Sequence, residues 1–380
     1  MVVLYGRMEK VFDSIEVKVP GKLFVAGEYA VTEPGQPSIV IAVDRYITAV
    51  IQESDKNEIY LPQWGMKKMA WEEEEHKNLW ESNPKFAFIR AAILIWDQYI
   101  QEQNKIPIPF SLTITSELDD PSGRKYGLGS SAAVVVAVLT SLWELHKFES
   151  NASSKWTIFK LAAMAHYQTQ GNGSCADIAA STFGHWLAYS AFDPSWLLKQ
   201  IGTEISLTAL MNKNWPGLSI KEITPPPSLQ LCVGWTGNAA ATGPMVRKVH
   251  QLKEKNPFYY QSFLQRSQKS VQNLFRSFDE QDCQMAIRSL RENREALLHL
   301  DQESKAGIET VEIRKLIEVA ENYGSGKSSG AGGGDCGIAF VEGERAAREL
   351  HEKWKEQNIL PLSLQVSIMG AHVETKDDLS

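Results

Sequence analysis

The sequence predicts a protein of mixed helix and strand in two units, with an α+β second half. Three observations point there. The chain has 380 residues, and at about 150 residues per domain that gives two or three domains. Its composition, 43% hydrophobic with 11 Trp, suits a large buried core and argues against disorder. The run Pro225-Pro226-Pro227 fits neither a helix interior nor a central strand, which divides the chain into 1–224 and 225–380.

The elements follow in order. Ile15 to Val19 alternates as a strand and ends at Pro20-Gly21, and a short apolar run, Leu23 to Ala26, comes next. Val40 to Ile51 is rich in β-branched residues and reads as a strand. Trp71 to His76 is a charge run and reads as solvated surface. Lys85 to Gln101 sets Phe88, Ala91, Ala92, Ile95 and Trp96 on one helical face. Phe110 to Ser116 alternates as a strand. Ala132 to His146 and Ile158 to Thr169 read as helices, the first mostly buried. Beyond the prolines come a strand at Leu229 to Trp235 and two or three long polar helices between about Gly243 and Tyr323. A strand at Gly337 to Val341, a helix at Glu344 to Gln357 and a last strand at Leu362 to Met369 complete the chain. Strand, helices, strand, helix, strand is an α+β order.

Lys and Arg number 39 against 46 Asp and Glu, a formal charge of −7. Nucleic-acid binding needs a broad basic face, so it is not expected, although a local basic pocket for a small anion is compatible. Cys175, Cys232, Cys283 and Cys336 include no Cys-x-x-Cys pair. Neither a zinc ribbon, a thioredoxin-type pair nor a disulfide scaffold is expected, and the compartment is expected to be reducing and cytoplasmic. The apolar stretch Met1 to Tyr5 gives way at once to Arg7, Glu9 and Lys10, so no signal-peptide core is expected. The longest apolar run, the eight residues Ala132 to Leu139, falls far short of the ~20 that span a membrane.

Three glycine-bearing loops and one turn carry the candidate chemistry. In PGKLFVAGEY (20–29), Lys22 stands between two apolar runs. It fits an exposed hairpin lysine or a buried one, and a buried ammonium needs an anion beside it. In YGLGSSAA (126–133), two glycines allow close backbone approach. Ser130 and Ser131 then serve either as helix caps or as contacts to phosphate and metal at a helix start that favours anions. GSGKSSGAGGGDCG (324–337) holds 7 of the 26 glycines between a helix and a strand, so a shaped loop is expected. Its Gly326-Lys327-Ser328 resembles the end of a Walker A loop, but Glu321 stands where the first glycine belongs, and a helix precedes it, which excludes that motif. In QGNGSCADIAAS (170–181), Asp177 lies in the first turn of a small-residue helix, as a simple dipole-favoured acid or as a functional one.

Taken together and in this order, PGKLFVAGEY, GLGSSAA and SGAGGGDCG (329–337) resemble the three motifs of the GHMP family of small-molecule kinases, over about Val17 to Met369. Within the family the chain is most similar to the branch acting on phosphomevalonate. The features are Gly35-Gln36-Pro37, the stretch Asp119 to Gly129, QGNGSCADIAAS and Gly234-Trp235-Thr236-Gly237. The mevalonate branch more usually shows Gly-His where this chain has Glu28-Tyr29. The diphosphate decarboxylase branch lacks the lysine present here as Lys22, and the galactose branch carries a sugar-recognition segment not found here.

The resemblance implies an N-terminal α/β domain with a glycine-rich phosphate loop and a C-terminal ferredoxin-like domain. It also implies transfer of the ATP γ-phosphoryl group to (R)-5-phosphomevalonate in the mevalonate route to isoprenoids. Gly127, Leu128, Gly129, Ser130, Ser131 and Ala132 would cradle the ATP phosphates, and Ser131, with Ser130 as the alternative, would hold Mg²⁺. Lys22 and Asp177 would be catalytic, and Lys22, Glu28, Tyr29, Ser174, Gly332 and Gly333 would touch the acceptor, with the third loop closing over the phosphates. Arg124, Lys125, Arg247 and Lys248 are further candidates for the acceptor phosphate. An acid elsewhere in the family, eleven residues before the catalytic aspartate, is His166 here, expected as a packed or supporting histidine. The alternatives are a mevalonate kinase or other GHMP kinase, and a catalytically silent ligand-binding homologue. A monomer or homodimer is expected, with ATP and phosphomevalonate as partners and neither nucleic acid nor membrane.

Overall fold

The computed structural model describes residues 13–64, 68–70, 84–120, 122–203, 205–237 and 242–374. The acidic run at 71–76 lies outside them, as does Pro121. Eight strands form the first sheet: β1 (Ile15–Ala26), β2 (Pro37–Glu53), β3 (Glu58–Tyr60), β4 (Met69–Ala70), β5 (Phe110–Ser116), β6 (Trp186–Ser190), β7 (Ser219–Ile223) and, from the far end of the chain, β12 (His372–Val373). Their order is β12-β1-β2-β5-β3-β4, with β6 on the first part of β2 and β7 beyond it.

The two apolar runs flanking Pro20-Gly21 are one strand, not two. β2 absorbs the irregularity: Pro20 pairs with Tyr46 and Gly21 with Val43, so Asp44 and Arg45 bulge out. Gly21 has no room for a side chain, since a Cβ there would lie 2.7 Å from Leu118 Cδ2 and 2.9 Å from the Leu128 carbonyl oxygen. That closeness lets the phosphate-loop candidate lie directly on β1.

Helices α1 (Pro84–Glu102), α2 (Ser130–Leu145), α3 (Ala152–Gln170) and α4 (Ala176–Phe183) accompany this sheet, with α5 (Pro194–Ile201) and α6 (Leu207–Asn212) after β6. Of the face expected on α1, Ala92, Ile95 and Trp96 are buried while Phe88 and Ala91 are half-buried, and Ile89, Ile93 and Ile100 complete the buried side. α2 is apolar nearly all round and buried from Ala132 to Trp143, as a helix enclosed by a sheet and other helices must be. α3 starts at a capping box in which Asn151 Oδ1 accepts from the Ser154 N–H and Ser154 Oγ accepts from the Asn151 N–H.

The first sheet's last consecutive strand ends at Ile223, and the second sheet begins with β8 (Leu229–Trp235), so the triple proline lies between them. Four helices follow, α7 (Thr242–Lys255), α8 (Pro257–Asp279), α9 (Cys283–Ser304) and α10 (Val311–Ala320), where two or three were expected. Then come β9 (Gly324–Ser328), β10 (Cys336–Glu342), α11 (Gly343–Glu356) and β11 (Leu360–Leu362). The antiparallel order β11-β8-β10-β9 on a β-α-β-β-α-β path is the ferredoxin-like arrangement.

Two expectations are corrected. Residues 324–328 are a strand rather than the start of a loop. Gly324 and Gly326 are there for closeness: a Cβ on Gly324 would sit 2.0 Å from the Phe340 carbonyl oxygen, and one on Gly326 would sit 3.2 Å from Ala320 Cβ. The expected strand Leu362 to Met369 does not form. After β11 the chain crosses to the first sheet, where Val366 bridges Val43, Ser367 bonds Ala42 and His185, and β12 pairs with Val17 and Lys18 of β1. The sheet hydrogen bonds that would extend β11 are therefore made to the other unit.

One apolar core fills the first unit and reaches Phe278, Leu290 and Phe340 of the second. A smaller cluster sets Tyr29 and Ala30 against Val249, Phe263 and Leu297, so the end of the first motif packs on the second unit's helices. All four cysteines are free and buried. Among the described residues no helix is long and apolar enough to cross a membrane.

Candidate active site

Gly127 and Gly129 hold the 126–133 loop open in the left-handed region, at φ 84° and 79°. Each is pressed against a side chain from another of the glycine-bearing segments. A Cβ on Gly127 would lie 2.7 Å from Asp335 Cβ, and one on Gly129 would lie 2.8 Å from Lys22 Cγ. Lys22 runs along the loop: its backbone N–H donates to the Leu128 carbonyl at 2.8 Å and its Nζ to the Gly127 carbonyl at 3.1 Å. Gly129 is the N-cap of α2, with no side-chain cap. Neither serine closes the helix start, so its first N–H groups and dipole remain available to an anion.

Ser131 Oγ lies 3.3 Å from His166 Nε2. His166 is buried and its ring stacks on Phe88, centroids 4.9 Å apart. This contact joins two cavities. The first, about 150 Å³, is largely apolar, with Ile47, Phe88, Ile114 and Val134 in its walls together with Asp119, Lys125, Ser130 and Ser131. The second, about 210 Å³, is lined by Phe24, Glu28, Tyr29, His166, Ser174 and Asp177, with Val246 and His250 of α7 and Gly330 and Ala331 opposite.

Asp177 reaches the second cavity from the first turn of α4, whose N-cap, Cys175, sits at φ 58°. Its Oδ1 accepts the Ile178 N–H at 3.0 Å. Lys22 and Asp177 are not ion-paired among the described residues: the lysine engages the Gly127 carbonyl, and its Nζ lies 5.9 Å from the Phe24 ring centre. Ser174 lies in the same cavity, its carbonyl accepting from Tyr189 Oη.

The Walker look-alike has a different role. Lys327 is fully buried in β9 and forms an ion pair with Glu28, giving a second hydrogen bond to the Ser328 carbonyl at 2.7 Å. Burial pulls the Lys327 ammonium pKa down, and the Glu28 carboxylate opposes that pull. Glu28 Oε1 is taken by this lysine, while Oε2 has no partner among the described residues. Tyr29 Oη donates to the Ala331 carbonyl at 2.6 Å.

Of the residues expected at the acceptor, Glu28, Tyr29 and Ser174 line the second cavity and Lys22, Gly332 and Gly333 do not, while Gly330 and Ala331 do. A Cβ on Gly332 would meet the Ile308 carbonyl oxygen at 2.3 Å, and the Gly333 N–H donates to that same carbonyl at 3.0 Å. These glycines let the loop lie flat on residue 308. At the loop's end the Asp335 carbonyl accepts from the Thr236 N–H at 3.0 Å and from Thr236 Oγ1 at 3.1 Å. Trp235 meets Tyr126 edge-on, centroids 5.0 Å apart, so GWTG braces the phosphate loop.

The other basic candidates divide between several places. Arg124 pairs with Asp120, donates to the Gly237 carbonyl and covers Trp235. Lys125 is in the first cavity, and Lys248 donates to the Lys305 carbonyl at 2.6 Å. Among the described residues lining the second cavity, the basic side chains are His166 and His250. His250 was not singled out from sequence, because a lone histidine in a polar helix carries no signal.

The family model for the GHMP kinases N terminal domain matches residues 88–185, and that for GHMP kinases C terminal matches 274–360. A phosphomevalonate kinase of Streptomyces sp. (strain CL190) is 31% identical over 92% of this chain and 96% of its own length. The structure of Streptococcus pneumoniae phosphomevalonate kinase in complex with phosphomevalonate and AMPPNP superposes with a TM-score of 0.81 at 28% identity, covering 93% of this chain and 99% of that one. The Lin0012 protein from Listeria innocua superposes with a TM-score of 0.88 at 36% identity, covering 95% and 99%.

Proposed function

Because the chain belongs to the GHMP kinase family, we propose that it transfers the γ-phosphoryl group of ATP to (R)-5-phosphomevalonate, giving (R)-5-diphosphomevalonate and ADP. The observation that carries this reading is the pair of cavities meeting at Ser131 and His166, with Lys22 along the glycine loop beside them. On this reading the adenine enters the apolar first cavity, the triphosphate lies along Gly127 to Ala132, and the acceptor fills the second cavity against Asp177. The division of the chain at the triple proline, with residues 366–373 returned to the first sheet, and a cytoplasmic monomer or homodimer belong to the same proposal.

The chemistry follows from charge. A phosphate monoester has its second pKa near ~6, so at neutral pH it is mostly a dianion. Its oxygen attacks the γ-phosphorus, the bond to the β–γ bridging oxygen breaks, and that electron pair leaves on ADP. The acceptor needs no strong base; it needs cations that offset repulsion between two phosphates. Lys22 supplies one, and the open start of α2 supplies oriented N–H donors. Asp177 orients the acceptor from the opposite wall.

Magnesium is a hard cation that prefers oxygen ligands and retains water, and the hydroxyls of Ser131, with Ser130 as the alternative, fit it. When bound with the nucleotide it neutralises phosphate charge. His166, stacked on Phe88 and beside Ser131, supports the hydroxyl rather than the metal. Ser131→Ala is expected to raise the magnesium concentration for half-maximal rate by about threefold or more, whereas His166→Ala moves it little. A magnesium titration of both variants checks this, and recovery of His166→Ala only at much higher magnesium contradicts it.

A coupled assay for ADP tests the reading itself. Mg·ATP with phosphomevalonate should give turnover, and with mevalonate scarcely any. Equal turnover of mevalonate rejects the acceptor assignment, and no ADP from either favours a silent ligand-binding homologue.

A further inference from the structure

We propose that Lys327, acting through Glu28, is a positioning residue that registers the Gly330–Ala331 wall of the second cavity, through the neighbouring Ser329, against the first motif. The inference rests on the reading of that cavity as the acceptor site.

Lys327 is wholly buried and Glu28 is 2% exposed. A buried ion pair is a poor source of net stability, because desolvating both charges offsets their attraction and an apolar pair of similar volume serves as well. What such a pair supplies is a fixed geometry, and this one joins two places that must be aligned. Glu28 follows directly on Gly27, which is itself locked: its φ is +90°, and a Cβ would lie 2.6 Å from the Pro37 carbonyl oxygen. Lys327 stands two residues before Ser329, and its ammonium also holds the Ser328 carbonyl.

The following residues continue the link to the same motif. Ser329 Oγ donates to the Phe24 carbonyl at 2.8 Å, and the Ala331 carbonyl accepts from Tyr29 Oη. Past Ala331 the loop changes allegiance. Gly333 bonds Ile308, and Asp335 bonds Thr236, both in the second unit. The Ser329 hydroxyl and the Ala331 carbonyl therefore tie this wall to the first motif, while the Ser329 amide, Gly333 and the Asp335 carbonyl bond within the second unit. Loss of the ion pair frees the wall relative to Phe24 and Tyr29. The Gly127–Ala132 loop, which would hold ATP, is held on β1 by the Lys22 backbone N–H at the Leu128 carbonyl and does not depend on this pair.

The test is the double variant Glu28→Gln with Lys327→Met, which leaves no buried charge unpaired. Steady-state rates with both substrates varied should show KM for phosphomevalonate raised about tenfold or more and KM for ATP within about twofold of wild type. Mere destabilisation lowers the active fraction and leaves both KM values unchanged. Hydrogen exchange gives a second readout that needs no substrate. The Ser329 amide, bonded to the Cys336 carbonyl, should exchange at least about tenfold faster, and the Gly333 amide should not. Unchanged KM values, a parallel rise in both, or an unaltered Ser329 amide overturns the proposal. If wild type fails to turn over phosphomevalonate, the functional reading falls, and the exchange result alone decides this inference. Should the double variant not fold, Ser329→Ala removes one link only. It is held to the same selectivity, with a rise of about twofold to fivefold in KM for the acceptor and no change for ATP.

Discussion

Replacing Lys22 with methionine is expected to lower kcat by about 10²-fold or more while KM for ATP stays near wild type. The lysine's aliphatic stem packs against Gly129, close enough that a Cβ there would meet its Cγ at 2.8 Å, and methionine keeps much of that packing. What methionine removes is the ammonium, which in the free protein rests on the Gly127 carbonyl at 3.1 Å. That carbonyl is a weak partner compared with a phosphoryl oxygen gaining charge, so the interaction strengthens as the reaction proceeds. An interaction stronger in the transition state than in the ground state appears in kcat. Asp177→Asn should also lower kcat with little change in nucleotide affinity, because Asp177 lines the second cavity alone. Rates measured with both substrates varied decide this, and a Lys22→Met protein with wild-type kcat refutes the lysine's role.

The second large effect is on stability. Gly370→Ala is expected to cost about 3 kcal/mol or more. A Cβ at residue 370 would lie 2.1 Å from the Thr182 carbonyl oxygen and 2.7 Å from the Gly184 N. Both obstacles are backbone at the end of α4, and Gly184 is already at φ +78°. Neither side can yield as a flexible side chain would. The Ala371 N–H also donates to the Ser181 carbonyl at 2.9 Å, so displacing Gly370 breaks the seam that returns the chain to the first sheet. Because α4 begins beside Asp177, activity should fall together with the denaturant midpoint. A variant with an unchanged midpoint would mean that the returning segment does not pack on α4.

Parts of this architecture are readable in the sequence for physical reasons. β5 runs from Phe110 to Ser116 as its alternation requires, since one face is buried and the pattern has period two. The triple proline falls between the two sheets because it cannot join either. Two of the three glycine-bearing segments, 126–133 and 324–337, stand in the sequence by their small residues, and the structure gathers parts of all three around the two cavities. β9 is unreadable because Gly-Ser-Gly-Lys-Ser has the composition of a loop, and only the helix and strand pressing on it require glycine. Glu28 and Lys327 are 299 residues apart, and neither has a local pattern that announces the other. The expected roles of Gly332 and Gly333 illustrate the same limit: a glycine that admits a ligand and one that admits a neighbouring carbonyl look alike in sequence.

The pairing of β12 with β1 sets an order on biosynthesis. Lys18 is made some 354 residues before its partner His372. At about 5–20 residues per second, roughly 18–70 s separate the two. Throughout that interval the nascent chain presents the Glu16–Lys18 end of β1 without the strand that covers it, the kind of open edge that recruits strands from other chains. The finished enzyme closes that edge with two residues, so the burden of keeping it solitary falls on the period of translation.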